Sequence, residues 1–183
     1  NSMKRFSKDV FEAQGYTVIS DAFSRPLLRA ARKRMEPVLA RQQKPVARIT
    51  GQDFPEIGLL LNEPEVLEIT RTILGSHPAI KKALLFDKTA GQNWAIPWHQ
   101  DTSIPATDEE ARAPGETIFI KDGSPHREAT SEELSALLTL RFHLDDAGAE
   151  NGALRVLPGS HRAGRMKQPD IGRILQNTDP VTC

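Results

Sequence analysis

Residues 150–162 read ENGALRVLPGSHR, and the way this run folds decides how the second half of the chain is read. Asn151-Gly152 is a tight-turn signal between two strand-like patterns, because glycine reaches positive φ without a steric penalty. Pro158-Gly159-Ser160 supplies a second turn where the following strand stops. The run therefore predicts a hairpin and its exit. Taken by itself it sets strand register and nothing more.

Working outward from this run, short strand-like segments recur. They are residues 79–86 (AIKKALLF), 93–101 (NWAIPWHQD), 117–121 (TIFIK), 138–146 (LTLRFHLDD) and 153–158 (ALRVLP), several with period-two alternation. Residues 105–115 and 122–130 are polar and rich in proline, glycine and charge, which predicts a mobile excursion, a candidate lid, beside the central strands. Ser131 is a candidate cap for a short helix through Leu137. The first third is helical in pattern. Residues 6–14 place Phe6, Val10, Phe11 and Ala13 on one face and stop at Gly15, and residues 16–20 (YTVIS) follow as a β-branched strand. Ser24 caps a second helix to about Arg41, with Pro26 in its first turn and Leu27, Leu28, Ala31, Met35, Val38 and Leu39 inward. Arg29, Arg32, Lys33 and Arg34 on its other face read as a solvated surface. A third helix starts after Asn62 and Pro64 and ends at Gly75. The pattern is β-rich α+β, with N-terminal helices packed on an all-β sandwich or barrel.

Composition narrows the function. A chain of 183 residues is the size of one domain, and its 24 basic and 24 acidic side chains cancel. No field of one sign draws nucleic acid or an anionic membrane, and no run of about 18 apolar residues spans a bilayer. The single cysteine, Cys183, excludes an internal disulfide and a thiolate cluster within one chain, and a reducing, cytoplasmic setting is expected. Asn1 and Ser2, ahead of Met3, read as a cloning remnant.

The chemistry begins at residues 94–101, WAIPWHQD. In a strand, residues i and i+2 share a face, so His99 and Asp101 would project together while Gln100 turns away. An imidazole and a carboxylate so placed are two of the three protein ligands of the 2-His-1-carboxylate triad that binds Fe(II). A lone His-x-Asp is equally a surface pair or a hydrogen-bonded pair.

WHQD, followed some fifty residues later by LDD and ENGALRVLPGSHR, closely resembles the phytanoyl-CoA dioxygenase family of Fe(II)- and 2-oxoglutarate-dependent oxygenases. The helix, Gly15-Tyr16 and strand of residues 14–20 resemble that family's opening, and the likeness covers nearly the whole chain. It implies a double-stranded β-helix (jelly roll, cupin-like) with the helices packed outside and iron in its mouth. His99 and Asp101 match the family's first two iron ligands, which makes them the catalytic and metal residues. Arg48, Leu85, Lys88 and Arg141 fall where the family places cosubstrate-binding positions; Arg141 stands where relatives often have tryptophan. Trp98 and Ile96 would pack beneath the metal pair. The resemblance implies Fe(II) as cofactor, 2-oxoglutarate as cosubstrate, and a small organic substrate with molecular oxygen. A carboxylate at 101 implies hydroxylation, since related halogenases have a small residue there.

The family completes its site with a late histidine and an arginine that pairs with the far carboxylate of 2-oxoglutarate. Residues 177–183 (NTDPVTC) resemble the lead into the strand before them. The expectation is one domain over residues 3–183 that is incomplete at its C-terminal end, with its last strands missing and no turnover of its own. Strand edges left by that loss would be covered by homo-oligomer contacts or strand exchange. His143 and His161 are not placed at the iron by the resemblance, and Asp145 or Asp146 is expected to satisfy Arg141 and His143. His77 and His126 sit in polar loop contexts and read as surface. Two other classes stay open: a non-catalytic jelly-roll binding module, and another cupin-type metalloenzyme such as an isomerase or hydrolase.

Overall fold

The helices form where the local capping signals are strongest. The computed structural model describes residues 6–40, 46–49 (backbone), 57–76, 78–88, 96–115, 117–121, 123–148, 150 and 152–183. Helix α1 (Lys8–Gln14) is capped by Ser7, whose hydroxyl accepts the Val10 N–H, and ends at Gly15 with φ 80°. Helix α2 (Arg25–Ala40) starts after Ser24, which accepts the Leu27 N–H on its side chain at 3.3 Å. Its apolar stripe is the predicted one, with Ala31 and Met35 buried. Arg32, beside that stripe, pairs with Asp145 at 2.6 Å in the open. A short helix α3 (Gly58–Leu61) buries Leu60 and leads into α4 (Pro64–Leu74), which buries Val66 and Thr70 and ends at Gly75 with φ 72°.

Three small antiparallel sheets follow. Strand β1 (Val46–Ile49) pairs with β2 (Ala83–Phe86), placing Arg48 opposite Leu84 and Ala47 opposite Leu85. Strands β3 (Ser103–Pro105), β4 (Phe119–Lys121) and β5 (Ser124–Glu128) form a sheet in the order β3-β5-β4. Strand β6 (Arg155–Val156) pairs with β7 (Val181–Thr182). Helices α5 (Ser131–Ser135) and α6 (Gln168–Leu175) flank them, and α6 buries Ile171. The architecture is mixed helix and sheet. Met35 is the centre of the described core, packed against Val38, Ile57, Ala83, Leu85 and Leu144 from four parts of the chain.

Several strand expectations fail. Residues 16–20 form no strand, and Val18 stands exposed. The alternating run 138–146 forms none either: it is held by side chains to α2 and the residues just before it, through Phe142 edge-on to Phe23 at 5.5 Å, Leu144 on Met35 and Asp145 on Arg32. β-propensity needs a neighbouring ladder to be realised, and neither segment has one among the described residues. Among the described residues, 138–148 therefore offer no strand for the hairpin expected across Asn151-Gly152, and β6 takes β7 as its partner. The turn at Pro158-Gly159-Ser160 does form, with Gly159 at φ 73° opening a 3-10 turn over Ser160–Ala163.

The expected lid is the largest correction. Residues 124–128, SPHRE, are the central strand of the three-stranded sheet, and His126, expected at the surface, is fully buried there beside Phe119. The register leaves two residues between Lys121 and Ser124, and Gly123 has φ 78°; Asp122-Gly123 was the hairpin signature to read. Arg127 then cross-links the region, reaching Glu110 and Glu133 at 2.6 Å each. Both acids also cap: Glu110 accepts the Thr107 N–H, and Glu133 closes a capping box with Thr130, which takes the cap position expected at Ser131.

These contacts set an acid limit. Glu110 is held at about 2, first by the Thr107 amide and then by Arg127, and Glu133 at about 2, first by Arg127 and then by the Thr130 amide. A depressed carboxylate stabilises the fold above its unfolded pKa, here 4.5, and the contribution is lost as pH falls toward 2. Thermal melts should therefore drop between pH 4.5 and 2, and Arg127→Leu should start lower at pH 7 and flatten that drop. An equal acid slope in the variant would contradict this account.

Candidate metal centre

His99 and Asp101 lie just before β3 rather than within a strand, and yet their side chains converge. His99 Nε2 stands 3.8 Å from Asp101 Oδ1, too far for a hydrogen bond, and both side chains are substantially exposed, at 49% and 66%. Two metal bonds of about 2.1 Å meeting at a right angle put their donor atoms roughly 3 Å apart, so a small rotation of the exposed carboxylate brings the pair to that span. The other ring nitrogen, Nδ1, lies 2.7 Å from the Pro97 carbonyl. A carbonyl only accepts, so Nδ1 carries a proton, and in the neutral ring the lone pair is left on Nε2, on the side of Asp101. This is the tautomer that a metal-binding histidine needs. The donor set of one imidazole nitrogen and one carboxylate oxygen fits a ferrous ion. Among the described residues, no third histidine, cysteine, aspartate or glutamate joins them.

The chain behind the pair is clasped to a distant segment. Gln100 donates from Nε2 to the Gly164 carbonyl at 2.9 Å and accepts the Met166 N–H on Oε1 at 2.7 Å. Gln168, the first residue of α6, donates to the Trp98 carbonyl at 3.1 Å. The guanidinium of Arg155 in β6 lies 5.4 Å over the Trp98 ring. Trp98 is thus half-buried as a support, whereas Ile96, expected beneath the pair, is exposed. Arg155 thus joins WHQD to the run 150–162, and the glutamine contacts join it to residues 164–168 just beyond. No periodicity announces them, since the glutamine partners lie 64 to 70 residues away.

The remaining expected positions are spread over other elements. Arg48 is on β1 and Leu85 on β2, the latter packed on Met35; the side chain of Arg48, His77 and residues 93–95 lie outside the described residues. Lys88 follows β2 directly. Arg141 is exposed, donates to the Gly152 carbonyl at 3.3 Å, and is not hydrogen bonded to His99 or Asp101. Asp145 does not serve it, being paired with Arg32. Burial, and next the Arg141 charge, push His143 below the usual histidine range. In a proton-NMR titration the His143 ring should therefore protonate below the usual histidine range. Because the unfolded chain takes up that proton first, its contribution to stability declines from about pH 6.5 downward. A His143 ring that titrates within the usual histidine range would contradict the assignment.

His161, in the 3-10 turn after Gly159, reaches across the molecule. Its Nε2 lies 2.9 Å from the Glu12 carbonyl, and the Gly159 N–H donates to the Gln14 carbonyl at 2.7 Å. The turn that ends ENGALRVLPGSHR thus docks on the end of α1.

Comparison with known proteins gives the family. The family model described as Phytanoyl-CoA dioxygenase (PhyH) matches residues 11–179, and the chain belongs to that family. Among curated proteins it is similar to L-proline trans-4-hydroxylase of Streptomyces griseoviridis, 26% identical over 162 residues, which are 82% of this chain and 52% of the relative. It is also similar to the ectoine dioxygenase of Bordetella bronchiseptica, 26% identical over 167 residues, 83% of this chain and 47% of the relative. The chain spans about half the length of the curated relatives it matches. No solved structure gives a significant match. The family and these relatives point to dioxygenase and hydroxylase chemistry. Among the described residues, no helix is long and apolar enough to cross a membrane.

Proposed function

We propose that this chain carries the iron-binding motif of an Fe(II)- and 2-oxoglutarate-dependent hydroxylase acting on a small organic substrate. The observation that carries the reading is the convergence of His99 Nε2 and Asp101 Oδ1 with Nδ1 occupied by the Pro97 carbonyl. Family membership supports it, as do relatives named for L-proline and ectoine, which favour a small molecule over a polymer. The small antiparallel sheets are read as parts of a double-stranded β-helix.

When bound, ferrous iron with 2-oxoglutarate supplies the oxidising chemistry for hydroxylation. The chain's own part is to hold and orient. His99 offers a neutral nitrogen donor in a fixed tautomer, and Asp101 offers the anionic oxygen that favours a hard divalent ion. Arg48, Lys88 and Arg141 supply positive charge for a dicarboxylate, with Leu85 as an apolar wall. Partial desolvation lowers the Arg141 pKa, yet a guanidinium stays charged at neutral pH. We further propose that these 183 residues alone do not turn over, since no third ligand joins the pair among the described residues.

Anaerobic addition of Fe(II) and 2-oxoglutarate to the whole protein tests this. A weak visible charge-transfer band that disappears in His99→Ala is the expected result. A wild-type protein without the band would favour the non-catalytic binding module, and a band surviving His99→Ala would place the metal elsewhere.

A further inference from the structure

We propose that Gln100 is a positioning residue for the His99–Asp101 pair, and that Gln168 completes the same clasp. The inference rests on the iron-site reading above and concerns what aims the two ligands. Both side chains of the pair are exposed, so packing around them does little to fix where their donor atoms point. Orientation must come from the main chain on either side. Gln100, between them, uses both ends of its amide on one segment: it donates to Gly164 and accepts from Met166. That two-point match fixes the rotation of the backbone at 100, which a single bond would leave free. Gln168 holds the carbonyl of Trp98, one residue before the histidine.

The segment that does the holding is itself tied down. Arg165, between the two backbone partners, donates to the Ala129 carbonyl and pairs with Glu128 at the end of β5. On the other side, α6 is anchored through buried Ile171. Residues 164–168 therefore connect the ligand pair to the three-stranded sheet and to α6. Closing the pair from 3.8 Å to the roughly 3 Å of a cis-chelating site then needs only side-chain rotation, and the main chain stays as built. Without the clasp, the segment before β3 would have to be ordered by the ion itself, which costs affinity.

Outer contacts that orient metal ligands are typically worth about 10–100-fold in metal affinity. Gln100→Met and Gln168→Met keep most of the side-chain volume and remove these hydrogen bonds. Mn(II), a redox-stable probe for a ferrous site, is titrated into wild type and each variant while the free-ion EPR signal is followed, well below the thermal midpoint of each. The expected result is an Mn(II) dissociation constant raised about tenfold or more in Gln100→Met, and by a smaller factor in Gln168→Met. The melting transition should stay cooperative. Unchanged affinity in both variants, with binding abolished in His99→Ala, overturns the clasp and leaves the iron site standing. Wild-type affinity in His99→Ala, or no binding by wild type, overturns both. If Gln100→Met does not fold, Gln168→Met alone decides, because it lies on an exposed residue with one bond to lose.

Discussion

Asp101→Ala, assayed in the whole protein, is expected to lower succinate formation from 2-oxoglutarate by more than about 100-fold, the upper end of what loss of an outer-shell contact costs. The substitution removes the only carboxylate paired with His99 among the described residues, and an alanine methyl offers no donor atom. Stability should hardly move. Asp101 is 66% exposed, and its 3.8 Å approach to the imidazole is a weak surface contact. Melting near the wild-type temperature together with lost turnover would separate chemistry from folding. Undiminished succinate formation would sink the assignment of Asp101 as a ligand.

Gly15→Ala is expected to have the largest effect on stability of any change in the N-terminal part. A Cβ at this position would stand 2.2 Å from His161 Nδ1 and 2.7 Å from its Cγ, with the backbone at φ 80°. The left-handed backbone alone costs an alanine roughly 1–2 kcal/mol. Relief of the clash requires the His161 ring to swing out, losing its contact with the Glu12 carbonyl, for about 1 kcal/mol more. The sum, about 2–3 kcal/mol, corresponds to a fall in Tm of roughly 5–10 °C for a chain of this size. His161→Ala removes the clashing ring, so the double variant should be less unstable than the two single losses added together. Additive losses, or a Gly15→Ala melt within experimental error of wild type, would show that the turn does not dock on α1 as described.

The helix ends were legible because their signals are local. Ser24, Pro64, Gly15 and Gly75 each act on the backbone within a few residues, and each stands at the end of the helix it predicts. Strands depend on partners that no local pattern names. LTLRFHLDD alternates well and forms no ladder, while polar SPHRE lies at the centre of a sheet, with His126 enclosed and Arg127 neutralised by two acids. The same distinction holds at the site. His99 and Asp101 are two residues apart and could be read as a pair. Gln100 could be seen to face away from them, but its partners at Gly164 and Met166 follow from tertiary packing alone. Likewise, the spacing of His161 from Gly15 gives no hint that the imidazole fills the space over that glycine.

The central claim, that His99 and Asp101 hold a divalent metal, is tested most directly by locating the ion on the chain. Substoichiometric Mn(II) added to isotope-labelled protein should broaden the resonances of His99, Gln100 and Asp101 first, and then those of Trp98 and Met166, while His143, His161 and His126 keep their signals. Broadening centred on any of those three histidines, or spread evenly over the surface carboxylates, would contradict it.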